Sequence, residues 1–311
     1  MLVFTGRFGV MAGENVILSS GPARASIALR GGEWRSWSVN DVDLLWPGDP
    51  QVWPGVAPVL FPVVGWTRNG EVRVGGSTYE LGVHGFVGDA DFFVAQYADD
   101  RALLVLEDSA ESRARYPFAF RLEIAYRLAP TAMHVEILVA NTGSGVMPYA
   151  AGLHPGFRWP LAGSQAEHAI VFESPERPDV PVIAPGGLFS TRRRPVPLAG
   201  RVMRLTPELF AQEALCFLDT ASRRLLYENG AGQGLRIALD NFPHVALWAR
   251  PPAPFLAIEA WTGHGDPEDF EGDLFEKPSM TLLEPGTRAG HAARYEFLPD
   301  LQDLSLLPKE R

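Results

Sequence analysis

LEIAYRLAPTAMHVEILV, residues 122–139, alternates apolar and polar side chains with the two-residue period of a β-strand. Leu122, Ile124, Tyr126 and Leu128 fall on one face, with Glu123 and Arg127 on the other. After the APTA turn, Val135, Ile137 and Val139 again share a face, so the stretch predicts an antiparallel hairpin with one wetter side. EVRVGGSTYEL (71–81) predicts a second hairpin. Its Gly75-Gly76 pair suits a two-residue turn in which both positions need positive φ. RALLVLE (101–107) and GLRIALD (234–240) read as further strands. Helical signals are short: TPELFAQEA, with Thr206 as N-cap and Pro207 at the first helical position, and DSAESRARY. Strands without regular helices between them predict an antiparallel all-β fold.

The chain has 311 residues, of which 46% are hydrophobic and 21% charged, enough to bury a large core. Its 31 glycines and 27 prolines are scattered rather than gathered into a linker, so one large β domain over 1–311 is expected. The net charge of −10 repels phosphate backbones and argues against a nucleic-acid partner. No run approaches the ~20 apolar residues of a membrane span. MLVFTGRFGV at the start lacks the marks of a signal peptide, and the single cysteine, Cys216 in ALCFLDT, reads as an inert core thiol. A cytoplasmic location is expected. TRRRPVPLAGR (191–201) reads as a solvated basic loop. The residues carry no signal for oligomeric state.

Several chemistries are excluded by their missing motifs. There is no cysteine pair or His-x-x-x-His spacing for zinc, no phosphate-binding glycine loop, and no G-x-S-x-G elbow. Polar residues set in apolar, aromatic segments remain. They are His84 in LGVHGFVGD, His154 in PYAAGLHPGFRWP, Glu259 in PFLAIEAWTGHGD and Asp240 in IALDNFPHVALW. A carboxylate placed after FLAI and before Trp261 would have its pKa raised by burial, which makes it a better base near neutrality. Histidines and a buried glutamate among aromatics suit acid–base work on an uncharged, hydroxyl-rich ring, with no metal or cofactor called for. The aromatics of WRSWSV and VWPG read as core, and His134, His168, His244, His264 and His291 as structural or exposed.

Taken together, LLWPGDPQVWPGVAPVLFPVVG, GSTYELGVHGF, YPFAFRLEIAYRL, VANTGSGVMPYAAGLHPGF, RLTPELFAQEAL, DNFPHVALWA, PFLAIEAWTG and EKPSMTLLEPG, in this order, resemble the aldose 1-epimerases, or galactose mutarotase-like proteins, and among them the LacX-type and hexose-phosphate epimerase-like branch. The resemblance implies a β-supersandwich whose concave face holds a monosaccharide. It implies that His154, at the position of the H-P motif histidine, acts as general acid on the ring oxygen. Glu259, in place of the I-E-P-W glutamate, would take the proton of the anomeric hydroxyl, and His84, of the H-G motif, would position the sugar.

The match departs from the family at three places. The arginine that commonly follows F-P-x-x-G is Trp66 here, with Arg68 two residues on; the arginine of H-G-F-A-R-D is Gly88; and the proline of E-P-W is Ala260. Loss of both arginines favours an unphosphorylated sugar, because phosphate needs charge-assisted donors. Trp66, Arg68, Trp261 and Asp240 are the remaining candidates for contact with the sugar. A sugar-binding or regulatory protein on the same fold without turnover, or an epimerase of an unusual sugar or sugar phosphate, stays open as an alternative.

Overall fold

The computed structural model describes residues 15–301, and its regular structure is mostly antiparallel strands with few and short helices. The initial MLVFTGRFGV lies outside the described residues. The 122–139 hairpin forms as its periodicity predicts, and is longer at both ends. Phe120–Ala129 pairs with Ala132–Asn141, with Ile124 opposite Ile137 and Tyr126 opposite Val135. These two strands sit inside a ten-stranded antiparallel sheet that runs from Leu198–Ala199 at one edge to Phe93–Ala98 at the other. Arg101–Glu107 and Gly234–Asp240 are members of it, as expected.

A six-stranded sheet packs against the ten-stranded one. Its order is Leu215–Phe217, His244–Trp248, Phe255–Trp261, Gly152–Leu153 and Val59–Leu60, with Gly156–Arg158 also paired to Phe255–Trp261. One continuous core fills the space between the sheets. Leu122, Ile124, Ile137 and Tyr295 come from the larger sheet, and Leu153, Val245, Leu247, Ile258 and Ala260 from the smaller. The opposite face of the smaller sheet carries a second apolar cluster, with Leu60, Cys216, Ala246 and Trp261, covered by Phe189. Cys216 is buried there, and burial pushes its thiol pKa up, in keeping with an inert side chain.

Local predictions hold with two adjustments. The Gly75-Gly76 turn joins Glu71–Val74 to Ser77–Glu80, and both glycines have positive φ (57° and 80°). Ala110–Arg115 is an α-helix capped by Ser109, whose Oγ accepts from the Ser112 N–H. Pro207–Phe210, by contrast, is a single 3₁₀ turn, and the Thr206 side chain makes no capping bond. The basic stretch is not a free loop. Its first residues lie in the Leu188–Pro195 strand paired with Asp179–Ala184, while its charged side chains are largely exposed. Strand pairing satisfies its backbone without burying the arginines. Among the described residues no helix is long and apolar enough to cross a membrane.

The core face of the long hairpin sets its stability. Ile124 is fully buried, so Ile124→Ala should cost about 2–5 kcal/mol. Arg127→Ala, on the exposed face, should change stability by less than about 0.5 kcal/mol. Urea denaturation of the two variants checks the contrast.

Candidate active site

The site begins with a register. Leu153 pairs with Ala260, and Gly156 with Ala257, across one antiparallel ladder. His154 therefore stands opposite Glu259, and Pro155 opposite Ile258. Pro155 has no N–H, so this pair keeps a single bond, from the Ile258 N–H to the Pro155 carbonyl, at 3.1 Å. The chain nevertheless continues in line, because the His154 and Gly156 N–H groups turn the other way, to the carbonyls of Pro58 (3.0 Å) and Val56 (2.7 Å). His154 and Glu259 thus form a non-hydrogen-bonded pair, the kind in which facing side chains lie closest.

The two side chains meet: His154 Nε2 lies 3.2 Å from Glu259 Oε2. The same carboxylate oxygen accepts the Trp261 indole N–H at 3.0 Å. Glu259 is 2% exposed and His154 7%, so this acid–base pair is held almost dry. Burial pushes the Glu259 carboxyl well above the usual carboxylate range, with the Trp261 bond opposing it. Burial, aided by neighbouring His84, holds His154 well below the usual imidazole range. Both shifts disfavour a net charge on the pair and favour its holding a single proton.

Aromatic rings fix the His154 imidazole. Trp53 lies 5.0 Å from it between centroids, Trp248 and His84 meet it edge-on at 5.7 and 5.6 Å, and Trp53 stacks on Phe255. Gly156 makes this possible: a Cβ there would come within 2.6 Å of the Trp53 ring. Trp53 and Trp248 were not among the expected site residues. VWPG resembles a core segment, and only the fold brings its tryptophan over the H-P-G sequence.

His84 is held by its backbone. It has φ of +62°, its N–H donates to the Gly65 carbonyl at 2.9 Å, and its Nδ1 accepts from the Gly65 N–H at 3.1 Å. Nε2 therefore carries the hydrogen and is the donor left over. Burial lowers its pKa to about 4, so it is a neutral donor. Gly85 follows with φ of +80°, and a Cβ there would lie 2.1 Å from the Phe61 carbonyl oxygen, so the close strand approach needs glycine.

Two of the expected contacts, Arg68 and Asp240, take other places. The Arg68 guanidinium donates to the backbone carbonyls of Phe270 (2.8 Å) and Glu268, so it clamps the 266–270 loop instead of standing free for a ligand. Asp240 belongs to the ten-stranded sheet. It lines a separate cleft of about 600 Å³ with Tyr149, Arg223, Asn241 and His291. Trp66 is half exposed and packs over Gly187 in the turn between Asp179–Ala184 and Leu188–Pro195, next in the chain to Gly65, whose N–H bonds His84. Trp261, the fourth, orients Glu259 through its indole N–H.

Comparisons with known proteins bear on the family and the fold. A family model described as aldose 1-epimerase matches residues 15–273. Two LacX proteins of Lactococcus lactis subsp. lactis, one chromosomal and one plasmid-borne, are each 30% identical over 268 residues, covering 82% of this chain and 90% of theirs. A galactose mutarotase-like protein from Lactobacillus casei is 26% identical with a TM-score of 0.86, over 92% of this chain and all of its own. A galactose mutarotase related enzyme from Lactobacillus acidophilus is 25% identical with a TM-score of 0.85, over 93% and 99%. The family-model match over most of the chain and the two LacX relatives show that the chain belongs to the aldose 1-epimerase family.

Proposed function

We propose that the protein interconverts the α and β anomers of an unphosphorylated aldose by opening and reclosing its ring. The observation that carries this reading is the 3.2 Å contact between His154 Nε2 and Glu259 Oε2. An acid and a base this close serve two oxygens bonded to one carbon, which is the arrangement of O1 and O5 in a cyclic aldose. Glycoside hydrolysis instead sets its two carboxyl groups about 5–9.5 Å apart, to admit a nucleophile or a water.

Ring opening uses the pair with its proton on the imidazole. Glu259 takes the O1 proton as His154 gives its proton to O5; the C1–O5 bond breaks and C1=O1 forms. Rotation about C1–C2 turns the other carbonyl face toward O5. Closure reverses both transfers, with Glu259 returning a proton to O1 and His154 taking one from the O5 hydroxyl. In the open form the pair is a neutral imidazole and a carboxylic acid, the state that burial favours. The dry setting thus stabilises the pair as the ring opens. His84, a neutral donor beside His154, would hold a ring hydroxyl, and Trp53 and Trp248 would face the sugar's C–H surface.

The residues at the family's arginine positions support the unphosphorylated substrate. Trp66 and Gly88 stand where related sequences carry arginine, and Arg68 is bound to carbonyls. A phosphate would meet no charge-assisted donor at these positions.

Exchange NMR over neutral aldoses and hexose 6-phosphates tests the reading. Wild type should accelerate anomer exchange of a neutral aldose, and Glu259→Gln should slow it by at least about 10² while melting normally. Acceleration confined to a phosphorylated sugar would overturn the substrate assignment. Saturable sugar binding with no acceleration would make the protein a binder.

The pH profile follows from the two shifts. Adding a second proton leaves a buried positive charge, so the acid limb lies below the ordinary imidazole range. Removing the last proton leaves a buried negative charge, so the alkaline limb lies well above the ordinary carboxylate range. kcat/KM should therefore show no acid limb at the ordinary histidine value of about 6.5. An acid limb at that value would contradict the buried-pair account.

A further inference from the structure

The face of the six-stranded sheet that carries the His154–Glu259 pair continues past Trp261 to two more imidazoles. His244 pairs with Trp261 across the ladder, which places both side chains on the face that bears Glu259. Its Nδ1 accepts from the Asp219 N–H at 3.0 Å, so its hydrogen is on Nε2. His264 is the complement: Nδ1 donates to the Gly265 carbonyl at 2.8 Å, which leaves Nε2 a bare acceptor. The rings stand 5.7 Å apart at 61°. His264 is half-buried and stacks on Phe189 at 4.8 Å. Phe189 is itself fixed, its N–H donating to the Asp266 carbonyl (2.8 Å) and its carbonyl accepting from the Glu268 N–H (2.9 Å). Among the described residues, neither Nε2 atom is bonded to a protein group.

We propose that His244 and His264 together recognise a hydroxyl on the part of the sugar remote from the anomeric carbon, His244 donating from Nε2 and His264 accepting at Nε2. This deepens the epimerase reading and rests on it for the placement of the anomeric carbon at Glu259. Two residues of strand, about 6.6 Å, and one inter-strand step, about 4.8 Å, separate His244 from Glu259. That separation is on the scale of one sugar ring with its hydroxyls. A hydroxyl is the group that both donates and accepts, as this pair requires.

The local charges favour a neutral group over an anion. Burial lowers His244 to about 4 and also lowers His264, so both are uncharged near neutrality. Asp219 lies 3.8 Å from His244, and the ammonium of Lys277 is matched by Asp266 at 2.9 Å. A phosphate here would face the Asp219 carboxylate and find the Lys277 ammonium already matched.

The test uses D-galactose, D-glucose and their 3-, 4- and 6-deoxy derivatives, with KM and kcat from anomer exchange and affinities from NMR titration. Wild type should lose at least about tenfold in kcat/KM on removal of one particular hydroxyl. His264→Phe keeps the stacking on Phe189 but removes the acceptor. It should raise KM for the parent sugar about tenfold or more, change kcat little, and no longer distinguish parent from that deoxy sugar. His244→Phe should do the same, and His264→Gln, which retains an acceptor, should restore part of the discrimination. Folded variants that leave every deoxy ratio unchanged, or that slow all sugars equally, would overturn the proposal. Should wild type bind these sugars without turning them over, the epimerase reading falls, and loss of hydroxyl selectivity in binding by His264→Phe still supports the subsite. Absence of binding by any of the sugars overturns both.

Discussion

The geometry of the site depends on one strand register, which sets His154 opposite Glu259. That register is imposed from the other face of the same two strands, where Leu153, Phe157, Leu256, Ile258 and Ala260 enter the main core. A slip of one residue would turn the imidazole and the carboxyl into that core and expose the apolar set. Packing energy therefore holds the acid against the base, and neither residue needs a loop to bring it there. Pro155 and Gly156 adjust the detail. Proline removes one ladder bond beside the pair, and glycine leaves room for the Trp53 ring, tilted against the imidazole.

The same burial creates the chemistry. Every residue of Phe255–Trp261 is buried, and Glu259 is its one ionisable group. A carboxylate there is costly by itself. Its cost is reduced by the Trp261 indole and by the His154 imidazole 3.2 Å away. In the proposed reaction desolvation sets the direction of proton movement, since the uncharged form of the pair is the one that would accompany an open-chain sugar. Tight aromatic packing around His154 keeps the ring from turning away, so the proposed reaction requires movement of protons and of sugar more than movement of protein.

Much of the fold was legible in the sequence because strand periodicity and glycine pairs act locally. The 122–139 hairpin and the Gly75-Gly76 turn illustrate this. His154, Glu259 and His84 were legible as polar residues in apolar settings, and the family resemblance pointed to the same three. What escaped depends on contacts between distant segments. Trp53 is about a hundred residues from His154 in sequence and looks like any core tryptophan. Arg68 reads as an available cation until the loop at 266–270 presents its carbonyls. Asp240 sits close in sequence to the cleft strand His244–Trp248 but belongs to the other sheet. His244 and His264 gain significance only from which nitrogen each backbone contact occupies, and that has no signature in residue order.

The claim at the centre of this account is that His154 and Glu259 work as one proton-sharing device. The most direct measurement compares anomer-exchange rates of His154→Gln, Glu259→Gln and the double variant, each checked for a normal melt. Groups that act as a unit are strongly non-additive. The account predicts that the double variant is no slower than the slower single variant. Losses that multiply, or a single variant that keeps the wild-type rate, would contradict it.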